Sequence, residues 1–167
     1  MSRMEITETT QFLTFQLKEE SFALEIVQIR EVLELDSITK IPRTPAFMCG
    51  VINLRGNVVP VIDMNLKFGM RKTQHTVNTC IIIVEIHLDG EETLLGALVD
   101  SVQEVIDLSP GQIEPAPRIG TQLRNEFIRG MGKQGDQFLI ILDIDNIFSL
   151  DELNMMQDVS SHVSSEN

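Results

Sequence analysis

The strongest constraint on this chain is that it contains itself twice. FMCGVINLRGNVVPVIDMNLKF from Phe47 lies without a gap on FIRGMGKQGDQFLIILDIDNIF from Phe127. Phe47 falls on Phe127, Gly50 on Gly130, Asp63 on Asp143 and Phe68 on Phe148, a constant offset of 80. Upstream, SFALEIVQIREVLEL matches LLGALVDSVQEVIDL at an offset of 73, and FLTFQL from Phe12 matches CIIIVEI from Cys80 at an offset of 68. Three blocks in one order indicate duplication of a supersecondary unit. The growing offset places longer loops in the second copy, where insertions are tolerated. Each copy has about 65 residues, close to the lower limit for an independent core, so the two copies are expected to fold together. A duplicated strand–turn–strand unit is scaffold, and directs the search for function to surfaces.

The pattern within each copy is β. Phe12–Leu17 and Phe22–Ile26 alternate around the polar turn 18–21, predicting a hairpin. Val27–Leu35 mixes periods; it reads as a helical turn near Gln28–Glu31 followed by a strand through Ile41, ended by Pro42 and Pro45. Gly50–Met64 is the clearest hairpin, turning at Arg55-Gly56-Asn57. Asn65–Phe68 reads as a short helical turn, and 69–79 as a polar link between copies. The second copy repeats the plan, with Val102–Ile106 mirroring the mixed segment and Leu108–Asn125 the longest irregular stretch. Ser149-Leu150-Asp151-Glu152 is a capping box before a short C-terminal helix. Residues 1–10 read as a flexible arm and the Ser-rich 160–167 as a disordered tail. The expected fold is mainly β: two small antiparallel barrels or sandwiches, one lobe over about 12–70 and the other over about 79–150.

Composition narrows the function classes. The net charge is −12 and the pI near 4.6, which disfavours nucleic acid and anionic membranes as partners. The two cysteines, Cys49 and Cys80, form no C-x-x-C, and the three histidines do not join them at ligand spacing. Free, buried thiols are expected, as suits a reducing cytoplasm. Met1–Gln11 is polar, so no secretory signal is expected, and the run Cys80–Val84 is too short to span a bilayer.

Several local patterns suggest chemistry and are better read as structure. Gly130-Met131-Gly132-Lys133-Gln134-Gly135 matches G-x-G-x-x-G, but an apolar strand segment follows where a dinucleotide site needs a helix. Asp63 and Asp143 are equivalent carboxylates at strand ends; capping explains them more simply than a catalytic dyad. No Ser-His-Asp or Cys-His arrangement can be assembled. Arg55 is a cation in an apolar hairpin of an acidic chain: a solvated turn residue on one reading, a partner of Glu31 across the lobe interface on the other. Among the crowded Ile26, Val27 and Ile29, one side chain is expected to be exposed.

The string TPAFMCGVINLRGNVVPVIDMNLKF (44–68), with ALVDSVQEVI (97–106) and QIEPAP (112–117), resembles the CheW family of chemotaxis coupling proteins from Phe12 to about Leu150. The resemblance implies two five-stranded barrels of the Src-homology-3-like type, leaves strand exchange between lobes open, and implies no enzyme activity, metal or cofactor. It implies a cytoplasmic adaptor, recruited to membrane-associated receptor arrays. Its implied partners are the regulatory domain of the histidine kinase CheA and the cytoplasmic tip of a methyl-accepting chemoreceptor. Carried over by position, the receptor-binding residues are Ile29, Glu31, Gly50 and Arg55; the kinase-binding residues are not fixed by position and are expected at an exposed strand edge, on the hairpin at Leu54, Gly56 and Val58. Ser101 stands where the family commonly has Gly. Two other readings compete: a small-molecule-binding β-barrel, which needs an open polar cavity, and a CheV-type coupling module acting without its receiver.

Overall fold

The computed structural model describes residues 6–88, 90–115, 125–149 and 151–156. The predicted tail at 160–167 and residues 1–5 of the predicted arm lie outside the described residues; within the rest of the arm, Ile6 packs against a core cluster and Thr10 already belongs to the first strand. The elements are β1 (Thr10–Leu17), β2 (Glu20–Glu25), β3 (Ile29–Glu34), β4 (Met48–Leu54), β5 (Asn57–Asp63), α1 (Met64–Lys67), β6 (Cys80–Leu88), β7 (Glu91–Val99), β8 (Ser101–Leu108), β9 (Ile113–Glu114), β10 (Ile128–Gln134) and β11 (Gln137–Leu142). The fold is mainly β, in two sheets ordered β8-β1-β2-β11-β10-β9 and β3-β6-β7-β5-β4.

The duplication governs the pairing. In β4–β5, Met48 pairs with Ile62 and Gly50 with Val61, with a bulge between; in β10–β11, Ile128 pairs with Leu142 and Gly130 with Ile141, with the same bulge. The offset of 80 therefore holds residue for residue. The mixed segment and its mirror also agree: Ile29 pairs with Val84 in one sheet, and Val102 with Phe15 in the other, each beside a bulge. The isolated bridge Thr39–Val51 is the counterpart of β9, which pairs Glu114 with Met131.

Each sheet is assembled from both copies. The hairpin β1–β2 joins the sheet of β8, β9, β10 and β11, while β6–β7 joins that of β3, β4 and β5. Neither sheet is a contiguous lobe of 12–70 or 79–150. Each hairpin is joined on one side by an antiparallel pairing, β1 with β8 and β6 with β3, and on the other by a parallel pairing, Ile141 beside Ala23 and Val61 beside Gly96, where a wholly antiparallel sheet was expected. Parallel pairing needs a crossover rather than a tight turn; β5 and β7 are separated by α1 and β6, and β2 and β11 by most of the chain.

The first block needs a correction of one residue. Phe12 pairs with Glu25, and Ile81 pairs with Leu98, which is the equivalent of Glu25 at the offset of 73. Phe12 thus answers to Ile81, not Cys80. The packing agrees: Leu13, Phe15 and Leu17 enter the same large core as Ile82, Val84 and Ile86. A one-residue slip would send every side chain to the opposite face.

That large core lies between the sheets and includes Phe22, Leu24, Ile62, Met64, Leu95 and Leu142. A smaller cluster fills each sheet's other face: Phe12, Ala23, Leu139 and Ile141 in one, Ile81, Val59, Val61 and Ile83 in the other. Two half-size copies thereby share one core, as their length demands. Aromatic contacts follow the same pseudo-symmetry. Phe47 lies 6.0 Å from Phe148, and its counterpart Phe127 lies 5.9 Å from Phe68.

Boundaries differ locally from expectation. The helical turn is a 3-10 turn at Ile26–Gln28, two residues early, and Glu31 is already in β3. β3 stops at Glu34 rather than Ile41. Its mirror segment is strand from Ser101 to Leu108. At the other end, Ser149 and Glu152 form the reciprocal bonds of a capping box, with Ser149 N–H donating to Glu152 at 2.8 Å and Glu152 N–H to Ser149 Oγ at 3.1 Å. Residues 151–156 are helical, and Leu153 and Met156 are buried in the central core.

Candidate functional site

The site grows from the β4–β5 hairpin. Its two-residue turn is Arg55-Gly56, with φ of +52° and +89°. Positive φ at both central residues matches strand twist, and Asn53 Oδ1 steadies the turn by accepting from Gly56 N–H at 2.8 Å. At the equivalent corner, Gly135 takes φ +61° with no Cβ to clash. Arginine does not share that freedom. A left-handed non-glycine residue costs about 1 kcal/mol, and the first copy carries this cost where the second does not.

The Arg55 side chain reaches Glu31. Its Nη2 donates to both carboxylate oxygens, at 3.2 and 2.8 Å. Glu31 lies on β3 and Arg55 follows β4, which are opposite edges of one sheet. The pair therefore joins the two edges and marks the curling of that sheet on itself. The expected partner is correct, but the pair lies within one sheet rather than across the lobe interface. A bulge between Ile29 and Glu31 sets the local direction of β3, and the intervening Arg30 pairs with Glu85 on β6. In the other sheet, Glu104 occupies the position of Glu31 and Gly135 that of Arg55, so this lock has no counterpart there.

Around the pair lies an apolar fringe. Val27 is 73% exposed and Val32 41% exposed, while Ile29 is half-buried against the central core. Val27 is thus the exposed member of the Ile26, Val27, Ile29 group. Leu54 is half-buried in the smaller cluster of its sheet, Val58 is half-buried against the central core, and Gly56 is open at the turn. The structure brings Glu31, Leu54, Arg55, Gly56 and Val58 together at one end of the sheet, with Ile29 two residues along β3. It does not bring Gly50 there. Gly50 is buried at the far end of β4 with φ +149°, and a Cβ on it would lie 2.1 Å from Thr39 O. Close passage of the Thr39 backbone accounts for this glycine.

Val32, Val105 and Phe138 were not singled out from sequence. Val105 and Phe138 are 50% and 49% exposed and are the duplicates of Val32 and Val58; the repeat register was the signal that could have found them. Lys67 was also missed. Its ammonium bonds Glu152 at 2.9 Å and lies 4.8 Å from the Phe47 ring, 5.6 Å from Phe127 and 5.3 Å from Phe148. A nearly buried cation is tolerated there because a carboxylate and three ring faces replace its water.

The residues considered for catalysis have structural work. Asp63 is buried and accepts from Asn65 N–H, Leu66 N–H, Thr73 N–H and Thr73 Oγ, capping α1. Asp143 accepts from the Asn146 amide at 2.8 Å. Burial pushes the Cys49 thiol up to about 12, far from a nucleophile's range. Both cysteines are free and half-buried. The G-x-G-x-x-G string forms β10 and its turn into β11. Among the described residues, no group of three His, Cys, Asp or Glu could hold a metal, and no helix is long and apolar enough to cross a membrane.

Comparison with known proteins assigns the family. The model of the CheW-like domain matches residues 11–152. The chain is 35% identical over 150 residues to the chemotaxis protein CheW of Klebsiella aerogenes, covering 90% of this chain and 88% of that one. It is 33% identical over 144 residues to the CheW of Helicobacter pylori, covering 86% and 84%. The crystal structure of the scaffolding protein TtCheW from Thermoanaerobacter tengcongensis superposes with a TM-score of 0.76 at 39% identity, covering 86% of this chain and 94% of that one. With the duplicated hairpins and the match across residues 11–152, the chain belongs to the CheW-like domain family.

Proposed function

We propose that this chain is a non-enzymatic adaptor that couples methyl-accepting chemoreceptors to the histidine kinase CheA in chemotaxis signalling. The observation that carries the reading is Arg55, held at φ +52° and bonded to Glu31. Backbone strain persists where the surroundings over-determine it, and such positions cluster at functional sites. The names of the CheW relatives, and the description of TtCheW as a scaffolding protein, support an adaptor in chemotaxis. We place the receptor tip on the fringe of Ile29, Glu31 and Arg55, with Gly50 shaping the far end of β4 from beneath. A helical hairpin can lay an apolar stripe along such a fringe. We place the kinase regulatory domain on the hairpin at Leu54, Gly56 and Val58. The chain needs no cofactor in this role, and would work in the cytoplasm on receptor arrays. Two modest interfaces suffice, because an adaptor raises the effective concentration of one partner near the other.

The test is capture. The purified chain should retain a CheA-type kinase and a receptor signalling domain at micromolar concentration, each without displacing the other. Failure to bind either one would remove the adaptor reading.

A further inference from the structure

The acidic charge is unevenly placed. Residues 40–75 hold six of the 13 Lys and Arg residues and one of the 25 Asp and Glu residues. Arg55 and Lys67 have carboxylate partners. Lys40, Arg43, Arg71 and Lys72 have none within ion-pair distance among the described residues.

Two of these unpaired cations line a cavity of about 550 Å³ outside the filled sheet interiors. Ligand pockets commonly span 300–1,000 Å³. Its apolar wall is Leu35, Ile38, Ile41, Met48 and Leu66, and Lys40, Lys72 and His75 share the lining. Asp36 and Asp63 also line it. The Asp63 oxygens are already occupied by the four donors described above, and Asp36 is exposed to water. Neither forms an ion pair with the lysines. The duplicated copy shows what an internally neutralised version looks like. Cys49 on the cavity lining is replaced there by Arg129, whose guanidinium bonds the Glu25 carboxylate. The first copy has a small residue in place of Arg129, and lysines free of a direct ion pair among the described residues.

We infer that this cavity binds a small amphiphilic anion, an aliphatic carboxylate or phosphate monoester. The tail lies against Ile38, Ile41, Met48 and Leu66, and the anionic head lies between the Lys40 and Lys72 ammonium groups. Apolar burial supplies affinity, and cation placement selects the sign of the head. The site lies at the opposite end of the β4–β5 hairpin from the Arg55 turn, and its test reads binding of a small anion rather than of a partner protein.

Calorimetric titration of the full chain with octanoate, octyl phosphate and octylammonium, each kept monomeric, tests the inference. Saturable binding of at least one anion is expected, with octylammonium not binding. The exposed-residue double variant Lys40→Gln/Lys72→Gln should weaken anion binding at least tenfold, and the distant Lys133→Gln should not change it. Sedimentation with phosphatidylglycerol vesicles identifies the source. Capture of the wild type but not the double variant points to a lipid headgroup; no capture beside binding of soluble anions points to a free metabolite. Absence of anion binding at millimolar concentration, equal binding of octylammonium, or unaltered affinity in the double variant overturns the proposal.

Discussion

Replacing Arg55 by glycine separates what this residue does for the fold from what it does for a partner. Three terms set the stability change. Removing the side chain relieves the left-handed conformation, a gain of about 1 kcal/mol. It breaks the pair with Glu31; Arg55 is 72% exposed, so solvent screening limits that loss to about 0.2–1 kcal/mol. Glycine adds unfolded-state freedom, a further loss of about 0.4–1 kcal/mol. The terms nearly cancel, leaving a change within about 1 kcal/mol. At this chain length that moves Tm by no more than about 4 °C. Gly135 shows that the same corner accepts glycine. Affinity for a receptor-tip fragment should nevertheless fall at least tenfold, about 1.4 kcal/mol, because both the guanidinium and the restraint on Glu31 are gone. Differential scanning calorimetry and titration with the fragment read the two effects separately. Wild-type affinity in Arg55→Gly would refute the placement of the site. A Tm loss well beyond 4 °C would refute the stability argument, showing the pair to be a structural lock.

Other consequences follow from single residues. Gly50→Ala puts a methyl group against Thr39 O and should cost about 3 kcal/mol or more in urea unfolding, whereas Gly56→Ala, with nothing within 4 Å, should cost about 1 kcal/mol; equal costs would contradict the bulge geometry. Burial alone would raise the Glu152 carboxyl, but the Ser149 N–H and Lys67 outweigh it and hold it below its ordinary 4.5. A depressed folded-state pKa gives stability that is present above the unfolded value and is lost as pH falls through the folded one. Glu152→Gln should therefore remove a small part, under about 1 kcal/mol, of the acid-side slope below about pH 4.5, and an unchanged slope would argue against the Lys67–Glu152 contact. With Cys80→Ser to leave one thiol, Cys49 at about 12 has about a thousandfold less thiolate at pH 8 than an ordinary thiol at 9.0. Iodoacetamide should label it far faster in urea than in the native protein, and equal rates would contradict its burial.

The parts of the fold legible in sequence are those with a local signal. The β4–β5 and β10–β11 hairpins combine a short turn with a nearly unbroken apolar return strand, and their register was readable to the residue. The β1–β6 alignment slipped by one because both strands bury residues on both faces: Phe12 and Ile81 fill a sheet's inner cluster, while Leu13 and Ile82 enter the core between sheets. Strands buried on both faces lose the alternation that reports register. Which hairpin joins which sheet was not readable, since Ala23 and Gly96 occupy equivalent positions and each presents a small residue to a parallel partner. The 3-10 turn at Ile26–Gln28 was displaced because its residues lack any capping signal. At the site, Arg55 was legible as a cation out of place in an apolar hairpin of an acidic chain, and Glu31 as its candidate partner. The role of Gly50 beneath Thr39 and the cavity beside Cys49 depend on chain crossings that no local pattern encodes.

The central claim is that this chain transmits receptor state to a kinase through the Glu31–Arg55 fringe. Autophosphorylation of a CheA-type kinase, measured with a receptor signalling domain present and the chain added or omitted, tests it most directly. The account predicts that receptor control appears only with the chain and is lost with the folded variants Arg55→Gly and Glu31→Ala. Kinase activity that is indifferent to adding the chain would contradict the adaptor. Full receptor control with both variants would contradict the site.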